Sequence, residues 1–478
     1  MNKQLSFKKI QEVTQGEWIV QPDNADQELS GGAFDTRSIK DAQIFFAWEG
    51  DQNDGHQYIH QLKDSSIRLI VVEKKVPPVS DIAVIKVTNS LQALHMLAKE
   101  LMQGFIGKVV TITGSSGKTT AKAWLTHLLQ NQFNLLSNIG SFNNHIGCPI
   151  TILGIQPEHD LMILEMGTSG LGELELLSSI APADITVLLN VGHAHLGKFG
   201  SLEKTYQAKT EIFSHQKKDA ISLIPFDDEY LGSLMSQKQL EFFGQHSPCF
   251  SWQFVGVNTE KRQQTFVFQT PEGKSRVVVG ELGEYVGDLL SAIIAICYFL
   301  EVTLDKIESY LAYLPQEKGR STFVTGKNNS MILDDTYNAN PESMINMLKT
   351  ICSLNKKKSI GVVGNMAELD SDLKRSAKYI LDNIPKTLDH LFLGGESGEI
   401  LIPLIRAQYP ELDAHTFRTT KEIIDVLDAI VDKDAVIGVK GSRSSHMERV
   451  VYQLKGQNVR CSLASCGKLQ MCSSCDEI

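Results

Sequence analysis

The chain has 478 residues, of which 42% are hydrophobic, 21% charged and 7% aromatic, and this average composition excludes disorder and fibrous repeats. At about 150 residues per domain, the length predicts roughly three domains. The formal net charge of -10 disfavours nucleic acid and anionic lipid as partners, because a negative field repels phosphate groups.

No segment of the sequence has the pattern of a targeting or membrane element. The first ten residues contain no apolar core of a signal peptide. The longest nearly apolar run, Leu289 to Leu300, is shorter than the about 20 residues that cross a bilayer. We therefore expect a cytoplasmic protein without a membrane span.

The first part of the chain has the pattern of a small α/β domain. Short β-rich runs at 44–48, 69–72 and 82–87 are separated by turn residues. Asn89 or Ser90 then begins an amphipathic segment, which predicts a connecting helix. We expect an N-terminal domain over 1–104.

The central region begins with a strand, a glycine loop and a helix. Residues 108–113 have the pattern of a buried strand, and 121–130 have a helical pattern. Further strands are predicted at 160–165 and 185–190, with helical segments between them. The alternation indicates a mostly parallel sheet with covered faces, so we expect a nucleotide-binding domain over 105–325.

The last third of the chain alternates strand and helix patterns in the same way. After a break near 326–330, strands are predicted at 331–335, 359–364, 390–394 and 435–440. This is typical of a Rossmann-like domain, which we place at 326–457, with a cysteine-containing tail at 458–478. The expected fold class is α/β in three domains.

The most informative segment is the glycine loop at 113–120, which reads Thr-Gly-Ser-Ser-Gly-Lys-Thr-Thr. Between a strand and a helix, such a loop offers backbone N–H groups and a helix N-terminus to phosphate oxygens. Lys118 is predicted to reach the terminal phosphates and the Thr119 hydroxyl to bind Mg²⁺. An ordinary strand–helix turn is the alternative. The predicted ATP-binding residues here are Gly114, Ser115, Ser116, Gly117, Lys118, Thr119 and Thr120.

Two further candidates stand where strands end. Glu165 ends an apolar strand, at the edge of a parallel sheet where ligands bind. Its position alone fits a solvated carboxylate as well as a metal ligand. His195 follows the strand that ends at Asn190, and histidines in such loops are more often solvated than ligating.

Together these motifs resemble the Mur ligases. The resemblance rests on the glycine loop, on Glu165 and on three further motifs, namely Asn-Asn-His-Ile-Gly-Cys-Pro at 143–149, His-Ala-His-Leu at 193–196 and Ala-Lys-Thr-Glu-Ile-Phe at 208–213. It covers about residues 30–455. Segments 334–344, 364–369 and 440–448 are most similar to family members that add D-alanyl-D-alanine.

The resemblance implies an ATP-dependent amide ligase of peptidoglycan synthesis. The implied substrates are a UDP-N-acetylmuramoyl-tripeptide, D-Ala-D-Ala and ATP. ATP phosphorylates the carboxylate, and an amine then displaces phosphate. Both reacting groups are anions, so cations must lie between them. The resemblance assigns this role to Lys118 and two Mg²⁺ ions, with Thr119 and Glu165 on the first ion and His195 on the second.

Lys209 has a special role in this resemblance. Its position alone favours a lysine on a helix surface. The matching lysine of the family is carbamylated by CO₂, which turns a cation into an anion that binds or orients a metal. The resemblance therefore implies a carbamate on Lys209.

The resemblance also implies contacts to the nucleotide and to the other substrates. Asp335 is expected to contact the ATP ribose, and Arg320 to meet the nucleotide from the domain junction. The expected substrate-binding residues are Thr36, Arg37, Asp54, His56, Asn143, Asn144, Asn338, Asn340, Lys440, Ser442 and Arg443.

The sequence departs from the family pattern near adenine and at one loop position. Tyr285, Val286 and Leu289 stand where polar residues are usual, and Ser141 replaces an asparagine. An apolar slot discriminates poorly between bases. We therefore expect only a weak preference for ATP over GTP.

Two alternatives to this function remain open. One is a sister ligase that adds another amino acid, although the Asp-Asn-Pro-Arg motif of the ligase for the third residue is missing. The other is a catalytically weak, nucleotide-gated binding protein. We expect a monomer. The tail cysteines Cys461, Cys466, Cys472 and Cys475 are interpreted as thiols on a mobile tail, with a zinc site as the alternative.

Overall fold

The structure is a computed structural model, and its described residues are 2, 4–50, 53–79, 81–192, 201–228, 231, 240–258, 261, 263–280, 283, 285–366, 373–457, 459, 461, 472 and 475. The side chains of 373–375 are not among them. These residues form three α/β units, which confirms the predicted fold class.

The N-terminal unit contains a five-stranded sheet in the order β2-β7-β6-β5-β4. The sheet is parallel except for the pair β2 and β7. A two-stranded antiparallel sheet of β1 and β3 lies beside it. The strands are β1 Leu5–Ser6, β2 Glu17–Val20, β3 Glu28–Leu29, β4 Gly32–Ala33, β5 Ile44–Phe46, β6 Leu69–Val72 and β7 Ala83–Lys86. The helices are α1 Phe7–Thr14, a 3-10 helix Gly55–Leu62 and α2 Ser90–Gly104.

The central unit is built on a six-stranded parallel sheet in the order β13-β12-β11-β8-β10-β9. Its strands are β8 Lys108–Thr113, β9 Leu135–Ser137, β10 Leu161–Glu165, β11 Ile185–Leu188, β12 Ile221–Pro225 and β13 Leu240–Phe243. Its helices are α3 Lys118–Leu129, α4 Gly147–Ile152, α5 Glu173–Ile180, α6 Leu202–Thr210 with a 3-10 helix Glu211–Phe213, α7 Tyr285–Phe299 and α8 Leu304–Leu311. The predicted strands and the helix after the glycine loop are thereby confirmed.

A three-stranded antiparallel sheet that the sequence analysis did not predict follows the parallel sheet. It consists of β14 Ser251–Asn258, β15 Gln263–Thr270 and β16 Gly273–Val279. Trp252, Phe266 and Phe268 are buried in the same hydrophobic cluster as α7. The sheet is therefore part of the central core.

The C-terminal unit has a six-stranded sheet in the order β17-β18-β22-β19-β20-β21, parallel except for β17 and β18. Its strands are β17 Thr322–Thr325, β18 Met331–Asp335, β19 Lys358–Val363, β20 His390–Gly394, β21 Asp413–Phe417 and β22 Ala435–Lys440. Its helices are α9 Pro341–Ser353, α10 Leu373–Asn383, α11 Gly395–Gln408, α12 Thr420–Ile430 and α13 Glu448–Leu454, with 3-10 helices Lys327–Asn329 and Arg443–Ser445.

The predicted break near 326–330 is the turn of a hairpin. β17 pairs with β18 in antiparallel register, Thr322 opposite Asp334. The boundary placed after residue 325 therefore cuts this hairpin, and the C-terminal sheet begins at Thr322. The turn residues at 326–330 join two strands of one sheet, so the break in the sequence pattern marks the turn of a hairpin and not the end of a domain.

Helix α2 joins the first two units through a shared core. The Asn89 side chain accepts a hydrogen bond from Gln92 N at 2.7 Å and caps the helix, as predicted. Leu94, Leu97 and Leu101 of α2 are buried together with residues of β8 and β10. Across the described part of the chain, no helix combines the length and apolarity that crossing a membrane requires.

Candidate active site

The glycine loop bends sharply between β8 and α3. Gly117 has φ of +81° and stands at the N-cap of α3, a backbone conformation that residues with side chains rarely adopt. Asn190, two residues after the end of β11, fixes the loop: its carbonyl accepts from Ser115 N at 3.0 Å and its Oδ1 from Ser116 N at 2.9 Å. The loop is thus held open with the start of α3 facing the cleft. The sequence analysis did not single out Asn190 for this role.

Two lysines converge on one carbonyl of the loop. Lys118 Nζ donates to Gly114 O at 2.7 Å, and the buried Lys209 Nζ donates to the same oxygen at 3.1 Å. Lys209 lies in the last turn of α6, yet only 1% of it is exposed. The interpretation of Lys209 as a surface lysine is therefore wrong, because α6 turns this side chain into the site.

Glu165 is fully buried among polar partners and is not a solvated carboxylate. Its Oε1 accepts from Thr119 Oγ1 at 3.1 Å and from Asn143 Nδ2 at 2.7 Å. Its Oε2 accepts no hydrogen bond from any described residue, although Lys122 Nζ lies 3.4 Å away. A carboxylate with a spare oxygen beside a hydroxyl is the donor set that Mg²⁺ prefers, so the residues fit this ion.

The glycine loop and the C-terminal unit line the same cleft, whose cavity volume is about 830 Å³. From the central unit it is lined by Ser115, Ser116, Gly117, Lys118, Thr119, Thr120, Asn143 and Glu165. From the C-terminal unit it is lined by Arg320, Asp335, Asn338, Asn340, Glu342 and Lys440. The structure thus brings together most of the predicted nucleotide residues. Glu342, which sequence analysis did not single out, stands at the start of α9, and its carboxylate packs against Gly192 of the central unit.

The C-terminal wall is preorganised by contacts within it. Asp335 accepts from Ser321 N at 3.1 Å and from the buried Lys440 Nζ at 2.5 Å. The Arg320 guanidinium lies over the Tyr337 ring, 4.0 Å from its centre. Lys440, predicted as a substrate contact, therefore neutralises and orients Asp335.

Asparagines predicted to contact substrate also shape the backbone. Asn340 caps α9: its Oδ1 accepts from Ser343 N at 2.8 Å, and Ser343 Oγ accepts from Asn340 N at 3.1 Å. Asn144 Oδ1 accepts from Gly147 N at 2.8 Å, at the start of α4. Of the four predicted asparagines, Asn143 and Asn338 cap no helix within the described residues. Both stay predicted substrate contacts.

The predicted substrate residues of the N-terminal unit are not among the residues that line this cleft. The Asp35 carboxylate binds Arg37 through Nε at 2.9 Å, and the side chain of Arg37 is 86% exposed. Thr36 Oγ1 donates to Gln61 Oε1 at 2.7 Å. These residues stay predicted contacts of a separate part of the substrate.

The partly buried Asp54 and the buried His56 form a polar pair. Burial opposes ionisation of Asp54, but hydrogen bonds from Lys74 and His56 outweigh it and lower the pKa of Asp54 to about 2. His56 Nδ1 lies 2.6 Å from Asp54 Oδ1, and its Nε2 accepts from Glu73 N at 3.0 Å. Both ring nitrogens are thus used within the unit, and the pair stabilises the loop around it.

The altered adenine segment forms the first turn of α7. Tyr285 and Leu289 line the cleft, whereas Val286 is buried away from it. Asp288, which sequence analysis did not single out, adds a carboxylate to this wall, and its Oδ1 accepts from Trp252 Nε1 at 2.7 Å. The sequence offered one signal for this residue, since Asp288 stands directly before Leu289, an expected adenine contact.

Part of the cysteine tail docks beside Arg443. Arg443 binds Glu448, and Glu448 Oε1 also accepts from Cys472 N at 2.9 Å. Cys472 Sγ lies 3.3 Å from His446 Nδ1. His446, Glu448 and Cys472 are close enough to hold a metal ion. The Arg443 guanidinium, however, already hydrogen-bonds to the Glu448 carboxylate and to the His446 imidazole. Cys472 is buried, so at this point the tail is packed.

Several predicted features cannot be placed. His195 and its motif, the residues after Met366 in the segment 364–369, and Cys466 lie outside the described residues.

Ser442, a predicted substrate residue, is buried, and its N–H donates to Asn365 O at 3.1 Å. No disulfide bond joins the cysteines within the described part of the chain.

A glycine loop between a strand and a helix, a buried carboxylate and hydroxyl, and a second unit that lines the same cleft are the parts of an enzyme that binds nucleotide phosphates. Residues 112–296 match the Mur ligase middle domain, and 319–443 match the Mur ligase glutamate ligase domain.

Whole-length relatives extend this match. The UDP-N-acetylmuramoyl-tripeptide–D-alanyl-D-alanine ligase of Bacillus subtilis is 29% identical over 94% of this chain and 98% of its own. The enzyme of the same name from Buchnera aphidicola is 30% identical over 94% of this chain and 98% of its own.

Solved structures agree with these relatives. MurF from Acinetobacter baumannii superposes with a TM-score of 0.81 at 27% identity, over 95% of this chain and 100% of the other. MurF from Thermotoga maritima in complex with ADP gives 0.76 at 27% identity, over 90% and 97%. The chain belongs to the Mur ligase family.

Proposed function

We propose that this protein is an ATP-dependent ligase that joins D-Ala-D-Ala to a UDP-N-acetylmuramoyl-tripeptide in peptidoglycan synthesis. The observation that carries the proposal is the shared cleft, in which Lys118, Thr119 and Glu165 face Asp335 and Asn338. The whole-length similarity to ligases of that name supports the choice of substrates.

The reaction has two steps with different demands on the site. A carboxylate oxygen of the tripeptide attacks the γ-phosphorus of ATP, ADP leaves, and an acyl phosphate forms. The amine of D-Ala-D-Ala then attacks the acyl carbon, the C–O bond to phosphate breaks, and the nitrogen loses a proton. The acyl phosphate must be shielded from water, which a cleft lined from two units allows.

In this mechanism the loop residues bind and neutralise the phosphates. Backbone N–H groups at the start of α3 face the phosphate oxygens, and Lys118 leaves Gly114 O to follow the transferring group. Asp335 is held by Lys440 and Ser321 in place to accept from the ribose. Arg320 meets the nucleotide from the C-terminal side.

We propose that the enzyme uses two Mg²⁺ ions. The Thr119 hydroxyl and the Glu165 carboxylate would hold the first ion, and their oxygen atoms suit it. When bound, Mg²⁺ supplies positive charge between the two anions. The second ion is assigned to His195, and a carbamate on Lys209 would bind or orient a metal ion. Carbamylation would replace one of the two ammonium groups on Gly114 O by an anion.

Each unit of the proposed enzyme has its own task. Residues 1–104 bind the UDP end of the substrate, the central unit up to the hairpin that begins at Thr322 binds ATP, and the C-terminal unit up to 457 closes over both. ATP and the UDP-linked precursor are cytoplasmic metabolites, so we place the enzyme in the cytoplasm. We propose that it acts as a monomer and binds no nucleic acid.

Replacement of Glu165 by glutamine should raise the Mg²⁺ concentration needed for half-maximal activity by about tenfold or more, because an amide oxygen is a weaker ligand than a carboxylate. The measurement is a Mg²⁺ titration at saturating ATP, with the exposed Glu272→Gln as the control. An unchanged titration would remove Glu165 from the metal site.

The enzyme should prefer ATP over GTP by no more than about a hundredfold in kcat/KM. Tyr285 and Leu289 offer apolar surface, and the Asp288 carboxylate can accept from the amino group of either base. The ratio is measured with both nucleotides under equal Mg²⁺. A preference of about 10⁴ would reveal adenine contacts that these residues do not supply.

The proposed function is tested by phosphate release with each substrate omitted in turn. We expect rapid release only with the tripeptide precursor, D-Ala-D-Ala and ATP together. Turnover with a single amino acid in place of D-Ala-D-Ala would identify a sister ligase. ATP binding without release under any combination would identify a nucleotide-gated binding protein.

A further inference from the structure

Lys122 is a buried cation that neither the sequence motifs nor the proposed mechanism uses. It lies one helical turn after Lys118 on α3, and 5% of it is exposed. Its Nζ donates to Asn138 O at 2.7 Å and to Gly140 O at 2.5 Å, and lies 3.4 Å from Glu165 Oε2. Two of the three N–H bonds of the ammonium are used by these carbonyls, and its charge lies within ion-pair distance of the Glu165 carboxylate.

The two carbonyls belong to the segment that leads from β9 to the predicted substrate residue Asn143. The Asn138 side chain pairs with the Glu165 backbone, accepting from its N–H at 3.0 Å and donating to its C=O at 2.8 Å. Asn143 in turn donates to Glu165 Oε1 at 2.7 Å. Lys122 thus hydrogen-bonds to this segment just before Asn143, the residue through which the segment contacts the Glu165 carboxylate.

We propose that Lys122 is a positioning residue that fixes the substrate-facing segment 138–143 against the metal-binding carboxylate of Glu165. The inference rests on the proposed function. One ammonium performs both tasks, since it holds two loop carbonyls and balances the buried charge of Glu165.

The two tasks respond in opposite directions when the charge is removed. A cation beside Glu165 repels and competes with a divalent ion, so its loss should strengthen ion binding to the carboxylate. The loss of two hydrogen bonds should loosen the segment that carries Asn143 and weaken substrate binding. General damage to the site would weaken both together.

The test compares Lys122→Met with the wild type and with the exposed Lys204→Met as the control. Mn²⁺ binding to the ADP complex is followed at pH 8 by electron paramagnetic resonance, and KM for the tripeptide precursor by phosphate release. We expect Mn²⁺ to bind at least threefold more tightly and KM to rise at least tenfold. Lys204→Met should behave as the wild type in both measurements.

A second variant covers the case in which Lys122→Met does not fold, as judged by its melting transition. Lys122→Gln keeps N–H donors without the charge, so it should bind Mn²⁺ more tightly with a smaller rise in KM. Unchanged values in a folded variant, or weaker binding of both ligands, would overturn the proposal. Wild-type protein that binds no Mn²⁺–ADP would instead contradict the proposed function.

Discussion

Lys118→Ala should lose at least about a hundredfold in kcat, which corresponds to about 3 kcal/mol of transition-state stabilisation. The lysine supplies positive charge to the phosphoryl group as it moves, and the Asn190 contacts hold the loop independently of it. The fold should therefore survive the change. Lys274→Ala, on the exposed face of β16, is the matched control.

The measurement is kcat at saturating substrates, with the melting temperature of each variant as the check on folding. A folded Lys118→Ala enzyme with nearly normal turnover would show that the loop is only a strand–helix turn. Retained ADP binding with lost turnover would agree with a role in the transition state.

Lys209→Ala should also lose most activity, and a small carboxylate should restore part of it. The alanine leaves a space beside Gly114 O that the buried Lys209 side chain fills in the wild type. Acetate or formate in that space would supply the negative charge that the carbamate provides. The measurement is turnover over an acetate or formate series at constant ionic strength.

Lys209→Arg is the control for this rescue. Its guanidinium fills the space and keeps a positive charge, so added carboxylate should have no effect. A mass spectrum of the wild type should show the added mass of a carbamate. Full activity of Lys209→Ala would contradict the role of this residue, whereas inactivity without rescue would show that the residue is important and leave the carbamate unproven.

Much of the fold was predictable because its signals are local. The run Lys108–Thr113 is a buried strand, and the glycines after it allow the turn into α3. Of the two caps that the sequence offered for α2, Asn89 and Ser90, the structure uses Asn89. The alternation of Trp252 and Phe254, and of Phe266 and Phe268, also follows the period of a strand, yet this antiparallel sheet was not predicted.

The predictable part of the site consists of residues at strand ends. Lys118, Thr119 and Glu165 lie together because β8 and β10 are adjacent parallel strands and end at the same edge. Lys122 and Asn138 could not be placed in this way, since their contacts depend on how one loop crosses a helix. The spacing of Lys118 and Lys122 on one helix face was the only local signal.

Some predicted substrate residues also have structural roles, which the spacing of residues in the sequence does not reveal. Asn340 stands before Pro341 and three positions before Ser343, a pattern that also predicts a helix cap, and the structure uses it as one. Lys440 neutralises Asp335 across two neighbouring strands, which only the sheet order brings together.

The formation of an acyl phosphate is tested most directly by an isotope transfer. The tripeptide precursor is labelled with oxygen-18 in its reacting carboxylate, and phosphate released in the presence of D-Ala-D-Ala is analysed by mass spectrometry. The account predicts one labelled oxygen in each phosphate, because the carboxylate oxygen that attacks ATP leaves with the phosphoryl group. Unlabelled phosphate would mean that water attacks ATP, and would contradict the assignment as a ligase.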